Sequence, residues 1–247
     1  MATEKVFQLG PVRVRVNAQG EASAKERLSR DRIVDVALAQ MKEKGYEAVS
    51  MRSIAKELGT GPASLYAHVA NKDELDQLLI DRVARDFPIP EPDPEHWDDQ
   101  LKQALLDMLT VYRAHPGVAR ATLGMIPTSP GALRSAEGVL ALCRAGGIPD
   151  QLAAWACDMF ALYTGAVAIE EDVWRLRAAT AAEDGEPYGE EAVVAAVRDH
   201  FASLPVDEFP LLRMLATVLT TGSGEDRVHF AVDLLVEGLK ALARRSE

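Results

Sequence analysis

The chain has 247 residues, 48% of them hydrophobic and 26% charged, with a formal net charge of -11 and two cysteines, Cys143 and Cys157. This composition indicates a globular, water-soluble protein of one large or two modest domains, and it excludes a disulfide-stapled scaffold. No signal-peptide pattern opens the chain, so we expect a cytoplasmic protein.

Charge is distributed unevenly along the chain. Residues 1–85 carry 14 Lys and Arg against 12 Asp and Glu, whereas the remaining residues carry 13 against 26. The first part therefore has a balance of +2 and the second a balance of -13. A balance of +2 attracts a polyanion only weakly, so such a partner has to be held by specific contacts.

Residues 1–27 form an N-terminal arm with three open interpretations. Apolar and basic residues alternate over 12–16 after a Gly-Pro turn, which predicts a short strand or hairpin. A second interpretation is an arm that becomes ordered only in a DNA minor groove. Its contacts would come from Arg13, Arg15, Lys25 and Arg27. The third is a mobile terminus without a role.

A long helix is predicted next, from Ser29, which is a good N-cap, to Gly45. Two short helices follow within residues 50–72. Ser50 caps the first of them and Gly59 ends it, and Ile54 lies on its buried face.

The second short helix begins directly after this glycine. Thr60 is predicted to cap it, Gly61 and Pro62 lie in its first turn, and Leu65 and Val69 form its apolar stripe. Two short helices joined by a tight turn make a helix-turn-helix, whose second helix fits the major groove of DNA.

The same residues resemble a known family. The run SMRSIAKELGTGPASLYAHVANKDEL, with its Leu-Tyr-x-His core followed by Asn-Lys, resembles the DNA-binding region of the tetracycline-repressor (TetR) family of bacterial transcription regulators. The resemblance implies eight DNA-binding residues. Arg52 reaches a base or phosphate, Thr60, Pro62, Ala63 and Ser64 face the groove, and Tyr66, His68 and Lys72 hold phosphates. Taken singly, each is equally well an ordinary surface residue.

The helix after the motif is predicted to connect it to the rest of the molecule. Asn71 caps this helix and Glu74 reaches back as the second half of a capping box. Four prolines within 87–94 end it, so we place a DNA-binding domain at 28–86 and a second domain at 87–247. A shift of the far end of this helix would tilt the DNA-reading head.

The second domain reads as helical throughout, so the predicted fold is all-α. An N-terminal three-helix helix-turn-helix domain precedes a C-terminal helical domain for ligand binding and dimerisation. The segment from Pro149 to about Thr180 is apolar on more than one face. Asp158 near its centre would cost ~2.5 to 3.5 kcal/mol in a bilayer, so we predict a buried helix and no membrane partner.

A homodimer is expected for two reasons. The multi-faced helix and an apolar stripe on the last helix, about 225–244, exceed what one thin layer of helices covers. A helix-turn-helix dimer also reads two half-sites ~34 to 36 Å apart. The resemblance supports this, because FPLLRMLA and HFAVDLLVEGLKAL resemble the dimer-forming segments of tetracycline repressors.

Apolar, aromatic and methionine side chains in the second domain have two interpretations. At helical spacing they form a packed core, and the resemblance instead implies a pocket for a small-molecule effector. The candidate ligand-binding residues are Leu105, Met108, Tyr112, Thr122, Met125, Ile126, Trp155, Cys157, Met159, Phe160 and Tyr163.

The resemblance also bears on metal binding. Tetracycline repressors meet a drug-bound magnesium ion with two histidines and a glutamate. Glu170 stands at the glutamate position, but Thr122 replaces one histidine and the other position falls near Pro88. We therefore expect no metal and no cofactor, and an effector that is mostly apolar and differs from magnesium-tetracycline.

An alternative function is an all-helical enzyme or carrier that acts on a small apolar molecule, with a purely structural helix-turn-helix. The sequence contains no Gly-rich phosphate fingerprint, no HExxH and no G-x-S-x-G elbow. Asp226 and His229 form only one of the several pairs that a di-metal bundle needs. We therefore predict a ligand-responsive repressor that an effector releases from a palindromic operator.

Overall fold

The computed structural model describes residues 5–9, 12–16, 28–126, 128–183 and 189–245. Near the start, Lys5–Leu9 (β1) and Val12–Val16 (β2) pair in antiparallel register. The hairpin interpretation of the alternating segment is confirmed. Lys25 and Arg27 lie outside the described residues, and contact of the arm with DNA remains a prediction.

The described part of the chain is otherwise helical, which confirms the predicted all-α class apart from this hairpin. Its first half contains α1 (Arg30–Lys44), a 3-10 turn (Tyr46–Ala48), α2 (Met51–Glu57), α3 (Pro62–Tyr66), α4 (Lys72–Ala84), α5 (Trp97–Ala114) and α6 (Val118–Thr122). Its second half contains α7 (Pro130–Ala145), α8 (Asp150–Glu183), α9 (Glu190–Ser203), α10 (Pro210–Met214), α11 (Ala216–Leu219) and α12 (Gly224–Arg244).

Helices α1 to α4 form a head with its own core. Ser29 and Ser50 cap α1 and α2 as predicted, since their hydroxyls accept from backbone amides three residues on. The core consists of buried side chains from all four helices, including Ile33, Ile54, Leu65 and Leu79, together with Val69 from the segment between α3 and α4. Val118 of α6 is buried in this same core. The head is therefore packed directly onto the second domain.

Three local predictions were wrong in detail. Thr60 does not cap α3, because Gly61 occupies the N-cap position without a side-chain bond. Glu74 reaches back to the amide of Ala70, one residue before the cap Asn71. Val69, predicted on the apolar stripe of α3, lies beyond the end of this short helix at Tyr66.

The second domain has a core built from α5, α7, α8 and α12. Leu101, Leu105, Leu142 and Val236 are almost fully buried there. Helix α8 buries one face, with Phe160 against this core, and it contacts α5, α6, α7 and α12.

The other side of α8 is not covered in this protomer. The helix is long and apolar enough to cross a membrane by length and composition, and 28% of its most apolar window is buried. The prediction that α8 is buried on several sides therefore holds for one face. Trp155, Met159 and Leu162 are more than half exposed on the other.

Candidate functional site

In the helix-turn-helix, the short helix α3 is exposed except for one buried side chain that packs into the head core. Gly59 turns the chain with φ of +61°, where a left-handed conformation favours glycine. Leu65, at 0% exposure, fixes α3 to the head core. The remaining side chains of α3 therefore point outward, and they are Pro62, Ala63, Ser64 and Tyr66.

The other predicted DNA contacts lie around this helix. Arg52 is exposed in the first turn of α2, whereas Thr60 and His68 are half-buried at the two ends of α3. The backbone carbonyl of His68 accepts a hydrogen bond of 2.8 Å from Nε of Arg30 in α1. Thr60 and His68 thus flank α3 along the chain, and Arg52 lies on the helix before it.

Lys72 has a role within the protein that the sequence did not predict. Its Nζ lies 2.6 Å from Oδ1 of Asp76 and 4.0 Å from the ring centre of Tyr46. The hydroxyl of Tyr46 donates to Oδ2 of Asp76 at 2.7 Å. Burial, followed by the bond to Asp76, raises the pKa of Tyr46, so the phenol remains a donor. The only sequence signal for this cluster was the i,i+4 pair of Lys72 and Asp76.

This cluster fixes the start of α4 to the head. Asp76 is 5% exposed, and a buried carboxylate has to be paired and hydrogen-bonded. At the same end Glu74 lies 3.3 Å from Arg30, the residue that binds the His68 carbonyl. Arg30 and Glu74 therefore link the segment directly after α3, the predicted DNA-reading helix, to the first turn of α4.

A cavity of about 560 Å³ lies between α4, α5, α6, α7 and α8. Cavities of ~300 to 1,000 Å³ accept small organic molecules. Seven of the predicted ligand-binding residues lie on its wall. These are Leu105, Met108, Tyr112, Thr122, Met125, Cys157 and Phe160.

The other four predicted ligand-binding residues lie outside the cavity wall. Ile126 is 78% exposed beyond the end of α6, and Trp155 and Met159 are on the uncovered side of α8. Tyr163 packs against the core without reaching the cavity. The sequence could not assign the three residues of α8 among these to a face, because α8 is apolar on nearly every face.

The sequence analysis missed the contribution of α4 to the cavity. Gln77, Ile80, Val83 and Ala84 of α4 all line it. Nε2 of Gln77 donates to the carbonyl of Ile126 at 3.4 Å, which links the helix to the segment after α6.

The cavity wall is mainly apolar with a few polar groups. Burial raises the pKa of Tyr112, against the lowering effect of a hydrogen bond with Thr122. The Thr122 hydroxyl donates to the carbonyl of Ala119 at 2.7 Å. Burial also raises the pKa of the Cys157 thiol and that of Cys143, the latter to about 11, so both are protonated at neutral pH. These thiols are not activated nucleophiles.

The residues singled out for metal binding are apart from the cavity. In the described part of the chain no group of three His, Cys, Asp or Glu side chains could hold a metal ion. Glu170 is not on the cavity wall and lies 3.8 Å from Arg227. Asp226 completes the capping box of α12, where it accepts from the amide and hydroxyl of the N-cap Ser223 at 2.8 Å.

Helix α4 is also fixed to the second domain at its far end. Oδ1 of Asp81 accepts from the amide of Gly131, in the first turn of α7, at 2.7 Å. Arg85 pairs with the same carboxylate at 2.7 Å. The helix that supports the recognition helix is thus also a wall of the cavity.

Comparison with known proteins supports both halves of this arrangement. The family model for bacterial regulatory proteins of the tetR family matches residues 33–77. The model for the tetracyclin repressor-like C-terminal domain matches residues 89–243, more than half of the chain.

Individual relatives match over different lengths. The HTH-type transcriptional repressor DrrR1 of Streptomyces coeruleorubidus is 36% identical over 131 residues, which are 51% of this chain and 47% of that protein. The chain thus aligns with about half the length of this curated relative. An HTH-type transcriptional regulator of Saccharopolyspora erythraea is 27% identical over 90% of this chain and 89% of its own.

A solved structure matches nearly throughout. ActR, a TetR family protein of Streptomyces coelicolor crystallised with actinorhodin, is 32% identical and superposes with a TM-score of 0.77. The match covers 90% of this chain and 100% of that chain. The helix-turn-helix head, the helical second domain and these matches together show that the chain belongs to the tetracycline-repressor (TetR) family of bacterial regulatory proteins.

Proposed function

We propose that this chain is a homodimeric transcriptional repressor that binds a palindromic DNA operator and is released from it by a small, mostly apolar effector. It is a DNA-binding regulator and not an enzyme. One observation carries the proposal. Helix α4 lines the cavity with Gln77, Ile80, Val83 and Ala84. Glu74 in its first turn is tied to the segment directly after α3, through the amide of Ala70 and through Arg30, which binds the His68 carbonyl.

DNA binding is assigned to the exposed face of α3. Tyr66 is 53% exposed although it is large and aromatic, and its hydroxyl suits a phosphate oxygen. Pro62, Ala63 and Ser64 are small enough for close approach to base edges. We assign Arg52 and His68 to the edges of the same DNA contact. Lys72 is assigned to a phosphate contact, and its ion pair with Asp76 fixes the position of its ammonium group.

Dimerisation is assigned to the uncovered apolar surface of α8 and α12. Large apolar side chains on both helices are at least half exposed in the protomer. They are Trp155, Met159, Leu162, Phe230, Leu234 and Leu242. Large exposed apolar patches mark interaction surfaces, and a two-fold pair presents two recognition helices to a palindrome. A regulator that binds an operator acts where the bacterial DNA is, so the proposal includes a cytoplasmic location.

The effector is assigned to the cavity. ActR, the similar structure, was crystallised with the small molecule actinorhodin. In this chain the wall is mostly apolar, which favours an effector with a large apolar body. An effector that fits only one position of α4 shifts the population of head positions, because it has different affinities for the two states.

The DNA assignment is tested by Tyr66→Ala and Arg52→Ala, with Arg144→Ala on α7 as a matched control for loss of an exposed cation. Each head variant is expected to lower operator affinity about tenfold, as loss of one good contact does. Arg144→Ala should leave it unchanged. Head variants that bind the operator as tightly as the wild type would contradict the assignment.

The effector assignment is tested separately by filling the cavity. Ala136 lies on the wall in α7, and Ala136→Phe should block compounds that release the wild type from DNA. Operator affinity of this variant without compound should stay near the wild-type value. A variant that still responds to every such compound would place the effector elsewhere.

A further inference from the structure

The cavity wall carries one charged side chain among the residues that the structure describes. Asp158 lies in the middle of α8 and shares the wall with apolar residues from five helices. The same stripe of α8 contributes Ala154, Cys157, Ala161 and Leu162, at the spacing of one helix face. Asp158 is exposed in the protomer, and Leu162, four residues on, both lines the cavity and is more than half exposed, so the carboxylate lies where the cavity wall meets the uncovered side of α8.

No described residue neutralises this carboxylate. Asp158 has no hydrogen bond and no ion pair within the described part of the protomer, and no Lys, Arg or His lines the cavity there. Its large neighbours on the uncovered side of α8 are apolar, namely Trp155, Met159 and Leu162. Covering this surface would leave a carboxylate in an apolar setting, and such a charge is costly unless it is paired.

We propose that the effector has an apolar body and carries a cationic group, such as an ammonium, and that Asp158 selects it. The proposal rests on the assignment of the cavity to the effector. A cation beside Asp158 gains a charge partner, whereas an anionic ligand finds repulsion and no compensating cation. Neutral molecules of the same shape bind with intermediate affinity.

A cation from the second protomer is the competing partner for Asp158. If it neutralised the carboxylate, Asp158→Asn would weaken the dimer and leave the charge preference of the cavity unchanged. The two explanations thus differ in a measurable way.

The test uses the full chain and three fluorescent probes with the same ring body: anthracenemethylamine, anthracenemethanol and anthracenecarboxylate. Titration of each probe gives its affinity for the wild type, for Asp158→Asn and for Asp158→Lys. Asp150→Asn, at the start of α8 and away from the cavity wall, is the matched control. Operator affinity and the molar mass of the assembly are measured for each preparation.

The wild type should bind the amine roughly two- to fivefold more tightly than the alcohol and the carboxylate least tightly. Asp158→Asn should remove the preference for the amine, Asp158→Lys should reverse it toward the carboxylate, and Asp150→Asn should retain it. Equal binding of all probes, no probe binding, or a preference that survives Asp158→Asn would overturn the inference. Each of these results leaves the repressor proposal standing as long as the wild type binds its operator, whereas loss of operator binding itself would overturn that proposal.

Discussion

Replacement of Gly131 by alanine tests the joint between α4 and α7. Gly131 is buried in the first turn of α7 and donates its amide to Asp81 of α4. An added Cβ would lie 2.9 Å from the backbone oxygen of Asp81 and 2.9 Å from Cβ of Ala84. Neither atom belongs to a flexible side-chain end, so one of the two helices has to move.

The magnitude follows from three opposing effects. Alanine gains at most ~1 kcal/mol over glycine in a helix, and less in its first turn. Overpacking against the backbone costs ~1 to 3 kcal/mol. If the hydrogen bond from the Gly131 amide to the Asp81 carboxylate is lost, that costs a further ~1.5 to 3 kcal/mol. We expect the free energy of unfolding of Gly131→Ala to fall by ~1 to 3 kcal/mol.

Denaturant unfolding and operator titration on the same samples measure the two consequences. A domain with ~5 kcal/mol or more of stability remains folded after this loss, so a several-fold drop in operator affinity would report displacement of α4. Gly224→Ala is the matched control, because it is also in the first turn of a helix and its Cβ would meet no atom within 4 Å. If the two variants behave alike, α4 and α7 are not coupled as described.

Four further substitutions address separate parts of the structure. Tyr46→Phe removes a donor to the buried Asp76 carboxylate, so denaturant unfolding should show a loss of ~1.5 to 3 kcal/mol and an unchanged value would contradict that bond. Partial burial raises the pKa of Asp81, but hydrogen bonds from Arg85 and Gly131 outweigh this effect, so the native pKa is lowered. The stabilisation from Asp81 is therefore present above the unfolded pKa of about 4 and is lost as pH falls through the native pKa. Asp81→Asn should flatten the acid limb of a curve of unfolding free energy against pH. Arg113 forms ion pairs with Glu171 of α8 and Glu225 of α12. Because this side chain is partly exposed, Arg113→Ala should lower the free energy of unfolding by only about 1 kcal/mol, and 1 M salt should reduce the contribution of these ion pairs in the wild type. Phe230→Glu places a charge on the exposed face of α12 and should give a monomer in sedimentation, whereas an intact dimer would move the interface elsewhere.

The sequence predicted best where a local rule determines the structure. Serine caps, the glycine turn at Gly59 and the prolines after α4 each act within a few residues, and the structure has them in place. The helix-turn-helix followed from these signals, and its family resemblance from the residues between them.

Predictions failed where the answer depended on the orientation of a helix. The residues of α8 are apolar on most sides, so neither Trp155 nor Phe160 could be assigned to a face by spacing. The contribution of Gln77 to the cavity required the position of α4 against α5 and α7. The pairing of Lys72 with Tyr46 joins residues from different elements, and only the tertiary structure brings them together.

Selection of binding sites from a pool of random duplex DNA by the purified full chain tests the central claim most directly. The account predicts enrichment of a palindrome whose half-sites lie about one helical turn apart, and weaker enrichment of the same site by Tyr66→Ala under the same salt conditions. A pool that stays random with the wild type, or a selected site without two-fold symmetry, would contradict a dimer that reads DNA with two copies of α3.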